Sequence, residues 1–156
     1  MSFRLLLFLH ILSVLALLGT HGTSMTVLYR IRREKDRGRI LDLVTLSGET
    51  ITPMYISLAA IVITGVLLGL KVDVFSEWWI WVAIVVLVVV AALMGSIARP
   101  YFARVKEACQ VRPSGVPRVS DEELAEILKA PTAHVISAIG VVGLVVILYL
   151  MVYQPG

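Results

Sequence analysis

Four long apolar stretches, separated by polar and basic segments, dominate the hydropathy pattern of the chain. They cover about residues 5–29, 52–70, 77–98 and 131–153. Each supplies about 20 mostly apolar residues, the length that an α-helix needs to cross the hydrocarbon core of a bilayer. The pattern predicts an all-α protein, a four-helix transmembrane bundle that forms a single domain over residues 1–156.

The composition supports an integral membrane protein. The chain has 156 residues, of which 58% are hydrophobic and 16% charged, and its mean hydropathy is +0.90. A soluble domain has about 25% charged residues. The net charge of +3 could suggest a nucleic-acid partner, but the basic residues flank the apolar stretches, so membrane topology explains them better. We therefore expect the lipid bilayer, and no nucleic acid, as a partner.

Lysine and arginine are concentrated in two of the three connecting loops. The opposite side has only Arg4 and Lys71. Cytoplasmic loops carry the excess of basic residues, so the pattern predicts that both basic loops are cytoplasmic and that both termini lie outside a bacterial-type plasma membrane. The first loop contains Arg30, Arg32, Arg33, Lys35, Arg37 and Arg39, and the third contains Arg99, Arg104, Lys106, Arg112, Arg118 and Lys129.

The first apolar stretch has a second interpretation as a cleaved signal peptide. Arg4 precedes an apolar run, and the small residues of GTHGTS imitate a cleavage zone. However, the apolar pattern resumes at Met25, Val27 and Leu28 and then meets a dense basic cluster. A cleaved signal normally has its positive end before the apolar core, so we favour an uncleaved first helix.

The third loop contains the pattern of a short amphipathic helix before the last span. Ser120 and Glu123 have the spacing of a capping box, and the segment DEELAEILKA follows. Leu124, Ile127 and Leu128 then share one helical face. The favoured interpretation is a cytoplasmic helix that rests on the membrane surface. A contact with a partner is the alternative.

Three histidines are the candidate functional residues. His10 and His21 lie in the first span and His134 near the start of the fourth. Ionisable groups at membrane depth are costly, so each is a candidate site residue. His10 and His21 are about 20° apart around the helix axis and about 16 Å apart along it. The predicted topology matches the height of His134 better with His21 than with His10.

The chemistry that histidines on different helices could support is ligation of a haem b. His10, His21 and His134 are thus the candidate cofactor-binding residues. The alternative is a histidine that is hydrogen-bonded across helices to a hydroxyl or a backbone carbonyl, or, for His134, one in the headgroup region. No HxxxH or HExxH spacing is present, and Cys109 is the only cysteine, so the sequence identifies no metal.

Small residues in three spans favour close helix packing. The first span has Gly19 and Thr23 four residues apart, the second has Gly65 and Gly69, and the fourth has Ser137, Gly140 and Gly143. Such spacing lets neighbouring helices approach closely, within one chain or between membrane subunits. It predicts packing surfaces, and other membrane subunits are therefore possible partners.

Three segments resemble one known family. The opening FLHILSVLALLG, the basic stretch YRIRREKDR and the closing YLMVYQP are similar to the DUF2269 family of predicted integral membrane proteins, although Gln154 stands where we associate a lysine with that family. The first-helix histidine is more distantly similar to CopD-like and HemJ-like four-helix membrane proteins, a group with copper-related and haem-pathway members. On that comparison, His10 matches the first-helix histidine. The resemblance implies the fold and no activity.

Two functions remain after these observations. The first is a non-catalytic membrane subunit or accessory protein. The second is a haem b or other redox-cofactor protein that uses histidines of the first and fourth helices. The sequence leaves open whether the protein is an enzyme.

Overall fold

The computed structural model describes residues 1–155 and is helical along almost all of them. Four helical stretches are long and apolar enough to cross a membrane: Phe3–Ile31, Arg37–Val72, Trp78–Ala108 and Asp121–Tyr153. The all-α architecture with four candidate spans is therefore confirmed. The individual helices are α1 (Phe3–Ile31), α2 (Arg37–Glu49), α3 (Ile51–Val72), α4 (Trp78–Leu93), α5 (Arg99–Ala108), α6 (Asp121–Lys129) and α7 (Thr132–Tyr153).

The spanning helices associate mainly in two pairs. Helix α1 packs along α3, and α4 packs along α7, whereas α1 and α7 approach each other over a short stretch only. We call α1 with α3 the first helix pair and α4 with α7 the second helix pair. Most side chains in the spans remain exposed, as expected for helices that face lipid tails.

The main core of the protein lies at one end, outside the most apolar segments. Helices α2, α5 and α6, together with the C-terminal end of α1 and the N-terminal end of α7, form a compact unit that we call the head. Val105, Ile31 and Ile40 are completely buried in it. The other buried residues of the head are Val27, Leu28, Val44, Tyr101, Ala108, Cys109, Leu124, Ile127, Leu128, Ala133 and Ile136.

The two basic loops lie together in the head. The first loop contributes α2, the third contributes α5 and α6, and Arg37 of the first bonds to Asp121 of the third at 2.7 Å. The positive charge of the sequence is therefore concentrated at one end of the molecule, outside the most apolar parts of the four helical stretches.

Helix α2 lies where the sequence analysis placed a loop. Asp36 caps its N-terminus by accepting a hydrogen bond from the backbone N–H of Arg39 at 2.9 Å. Ile40, Val44 and Ser47 are buried at helical spacing. The signal for this helix is present in the sequence, but it lies among dense arginines whose pattern predicts topology and no helix.

The third helical stretch continues beyond residue 98, where the prediction ended it. A short π-helical turn, Met94–Ala98, connects α4 to α5. Pro100 follows this turn. Proline has no N–H and its ring clashes with the carbonyl four residues earlier, so the helix accommodates it by a local change in hydrogen bonding and then continues.

Helix α6 buries its apolar residues in protein. Leu124, Ile127 and Leu128 are 4%, 7% and 3% exposed and belong to the head core. Ser120 caps the helix by accepting a bond from the N–H of Glu123 at 3.1 Å. The interpretation of α6 as a helix that rests on the membrane surface is therefore wrong for these three side chains. A face that rested on a bilayer would be exposed in the isolated chain, whereas these side chains are buried in the head.

Candidate functional site around the histidines

His21 lies where α1 meets α7. Gly140 of α7 is buried, and a Cβ atom built on it would overlap Nε2 of His21 and lie 2.9 Å from Cε1. The imidazole ring therefore fills the space that a side chain at position 140 would take. Its Nε2 atom is buried and has no hydrogen-bond partner within residues 1–155. Buried polar atoms normally have a partner, so this nitrogen requires an explanation.

Met94 completes the surroundings of His21. Its terminal methyl would lie 3.2 Å from a Cβ on Gly140, on the same side as the imidazole. Met94 opens the π-helical turn between α4 and α5, so three helical stretches converge at this point. The contact thus joins the first helix pair to the second through one ring, one glycine and one thioether side chain.

His10 is bonded to α3. Its Nδ1 lies 2.9 Å from Oγ1 of Thr64, and that hydroxyl donates to the carbonyl of Ala60 at 2.5 Å. Since the hydroxyl proton is already used, Nδ1 of His10 is assigned as the donor to Thr64. A Cβ on Gly65 would lie 3.2 Å from Cε1 of His10, so this ring also fits above a glycine.

His134 lies at the head end of α7 and is exposed. Its ring is 6.0 Å from the ring of Tyr29, centroid to centroid, and tilted by 54°. It is six residues from Gly140, or about 9 Å along the helix axis. His134 is thus closer in height to His21 than to His10, but the rings of His21 and His134 contact different residues.

The three histidines contact three different partners. His10 and His21 share a face of α1, but one contacts α3 and the other α7. They lie about 16 Å apart along one helix, so they cannot both coordinate one haem iron, whose axial ligands lie on opposite faces of a single porphyrin. No group of three or more His, Cys, Asp or Glu side chains within residues 1–155 is arranged to hold a metal ion.

A hydroxyl cluster lies one helical turn from His21 towards the head. The Ser24 hydroxyl of α1 is 3.1 Å from the hydroxyls of Ser47, in the last turn of α2, and of Thr50, between α2 and α3. The Thr50 hydroxyl also lies 2.7 Å from the carbonyl of Ser47, to which it donates. These bonds tie α1 to the junction of α2 and α3. Polar groups therefore extend from the head to within one turn of His21.

Two arginines of the first basic loop have structural roles that the sequence analysis missed. Arg32 donates to the carbonyls of Leu128, Lys129 and Ala130 at 3.2, 3.2 and 2.7 Å, which closes the C-terminal end of α6. A cation is favourable there because the last carbonyls of a helix lack partners.

Arg37 plays the corresponding role at the end of α5. It donates to the carbonyl of Ala108 at 2.9 Å and to that of Val119 at 2.8 Å, in addition to Asp121. The carbonyls involved lie more than 70 residues away in the sequence. No local sequence signal could have identified these bonds.

Cys109 lies in the head core beside these contacts. Its thiol is free and buried. Burial raises the pKa of the Cys109 thiol above its ordinary value, and the nearby Arg37 guanidinium opposes that shift more weakly. Since the thiolate is the reactive form, this cysteine is expected to be inert in the folded head.

Two open grooves lie on the head, away from His10 and His21. One, of about 510 Å³, is lined by Arg104, Arg112 and Arg118 together with Glu107 and Glu123. The other, of about 550 Å³, is lined by Arg30, Arg33, Glu34, Arg39, Asp42 and Leu43. Both grooves mix charges of the two signs, so neither has a lining that selects an anion or a cation.

The fold and the apolar helices define an integral membrane protein. A family model described as "Predicted integral membrane protein (DUF2269)" matches residues 4–155. The chain belongs to this family, as the three sequence segments indicated. A search of curated proteins and a search of solved structures found no match.

Proposed function

We propose that the protein is a non-catalytic membrane subunit or accessory protein. The observation that carries this proposal is that each histidine contacts a residue of another helix: Thr64, Gly140 or Tyr29. Polar side chains between membrane helices contribute to helix association. In this proposal the histidines build the scaffold, and the exposed apolar faces of the spans are available to other membrane subunits.

The proposed location is the plasma membrane, with the head and α6 in the cytoplasm and both termini outside. Support comes from the twelve basic residues of the two loops, which the fold gathers at one end. Single cysteines at Ser114 and Ser2, each in a Cys109→Ser background, test the orientation in intact cells. An impermeant maleimide should label the cysteine at position 2 and leave the one at position 114 unlabelled until the cells are opened. The reverse pattern contradicts the proposed orientation.

The alternative function is a haem b or redox-cofactor protein. One observation favours it: Nε2 of His21 is buried without a hydrogen-bond partner in the described chain. The observed packing does not fit a bound porphyrin, however, because the ring of His21 is pressed onto Gly140 and would have to leave that position to coordinate iron. We therefore rank this alternative second.

One purification distinguishes the two functions. The protein is extracted in mild detergent from its native membrane and, separately, from an expression host supplied with haem. A subunit should give a native mass above the 17.1 kDa of the chain, with a second polypeptide at fixed stoichiometry, and no Soret band. A Soret band that His21→Ala abolishes establishes the alternative. A colourless protein that is monomeric in its native membrane extract contradicts both.

A further inference from the structure

The contact between His21 and Gly140 lies where the two helix pairs diverge. Towards the head, α1 and α7 are held together by the head core and by the Tyr29–His134 contact. Towards the other end, His10 packs on α3, whereas Leu150 packs on α4 through Trp79 and Ala83. His21 is thus the outermost of these contacts between α1 and α7, and it lies within the membrane span.

Within residues 1–155, no salt bridge involves the His21 ring. A Cβ atom on Gly140 of α7 would meet side chains of two other helical stretches, His21 and Met94. Ser137, one turn before Gly140, donates its hydroxyl to its own helix at Ala133. The other two histidines contact Thr64 and Tyr29 instead.

The protonation state of the His21 ring decides whether its position against Gly140 is favourable. A neutral imidazole carries one proton and can place it on Nδ1, so that Nε2 meets Gly140 without an unpaired N–H. An imidazolium ion carries a proton on both nitrogens. Its Nε2–H would then point at the Gly140 backbone without an acceptor, and its charge would be buried without a counter-ion. Both situations are unfavourable in a low-dielectric environment.

We propose that protonation of His21 releases its contact with Gly140 and lets the two helix pairs separate beyond this point, so that the fold contains a pH-sensitive switch. The Ser24–Ser47–Thr50 hydroxyls, one turn towards the head, provide polar groups along the side from which a proton would arrive. The head holds the pairs together at the other end, so the motion is an opening and not a dissociation. This inference is independent of whether the protein is a subunit.

Distance measurements between spin labels test the switch. Leu15 on α1 and Val145 on α7 lie a few residues beyond the contact and are 59% and 57% exposed, so labels are tolerated there. Both are changed to cysteine in a Cys109→Ala background, and the protein is reconstituted in nanodiscs. Distances are recorded by pulsed electron resonance at about pH 8 and about pH 4, so that the lower value lies well below the ordinary titration of imidazole.

The expected result is a single short distance at the higher pH and a second, longer population at the lower pH. His21→Gln should remove the pH response, and His10→Gln, a matched histidine on the same helix, should retain it. Gly140→Ala should give the longer distance at both pH values, which tests the contact even where the His21 variant fails to fold. An unchanged distance in the parent protein, or a response that survives His21→Gln, overturns the proposal.

Discussion

The imidazole of His21 on α1 lies directly over the α-carbon of Gly140 on α7, in the space that a side chain at position 140 would fill. Gly65 of α3 lies against His10 in a similar but looser way, since a Cβ there would be 3.2 Å from Cε1 of that ring. Both rings on α1 therefore rest on a glycine of a neighbouring helix, and each glycine lets a polar ring approach close to a helix backbone. Small residues in these spans thus make room for histidines as well as for helix backbones.

Gly140→Ala should destabilise the protein. The added methyl overlaps His21, and the ring can yield only by moving out of a buried position, so a loss of about 1–3 kcal/mol is expected for such overpacking. The midpoint of thermal unfolding in detergent measures the effect. Gly22→Ala on α1 is the matched control, since a Cβ there meets no atom within 4 Å, and it should leave the midpoint unchanged or raise it.

Thr64 and His10 should be energetically coupled. We expect a double-mutant cycle of His10→Leu and Thr64→Val to give a coupling of about 0.6 kcal/mol and not more than about 1.7 kcal/mol, the range for hydrogen bonds between membrane helices. The free energy of unfolding in mixed micelles is the measurement. Thr26→Val, which removes a hydroxyl bonded only to its own helix, replaces Thr64→Val in the control cycle. Equal coupling in the two cycles contradicts the bond.

Arg37→Gln should loosen the head. The guanidinium is 16% exposed and donates to two backbone carbonyls. A hydrogen bond to a charged group contributes about 1.5–3 kcal/mol to stability. The bond to Asp121 adds little because that carboxylate is 86% exposed. Hydrogen exchange should accelerate at the ends of α5 and α6 in the variant.

Arg33→Gln is the matched control for that experiment. Arg33 comes from the same loop, is exposed, and makes no side-chain hydrogen bond within residues 1–155. Its replacement should leave the exchange of α5 and α6 unchanged. If both variants accelerate exchange equally, the effect comes from the loss of positive charge and not from the helix-capping bonds of Arg37.

Cys109 should react slowly with thiol reagents while the head is folded. Burial raises the pKa of its thiol, so little thiolate is present at neutral pH. Maleimide labelling is expected to be slow for the parent protein and faster for Arg37→Gln, which loosens the surrounding structure. The pKa of the Cys109 thiol is higher in the folded than in the unfolded protein. The stability that this group contributes is therefore lost as the pH rises through the folded pKa. Fast labelling of the folded parent protein would falsify this prediction.

The amino-acid sequence by itself determined the four candidate spans and the all-α fold. In a bilayer the backbone must satisfy its hydrogen bonds within each segment, so an apolar stretch of about 20 residues has no alternative to a helix. The sequence also placed His10 and His21 on one face of α1, because helical phase follows from residue spacing alone. These inferences needed no knowledge of the partners.

Only the tertiary structure decided which partners those faces meet. Helical phase gives the direction of a side chain from its own axis, but not which helix lies in that direction. In the fold, His10 contacts α3 and His21 contacts α7, although both lie on one face of α1. The bonds of Arg32 have the same origin, because the carbonyls that it caps lie 96 to 98 residues away in the sequence. Contacts between distant segments depend on how the helices pack, and residue spacing within one segment carries no information about that packing.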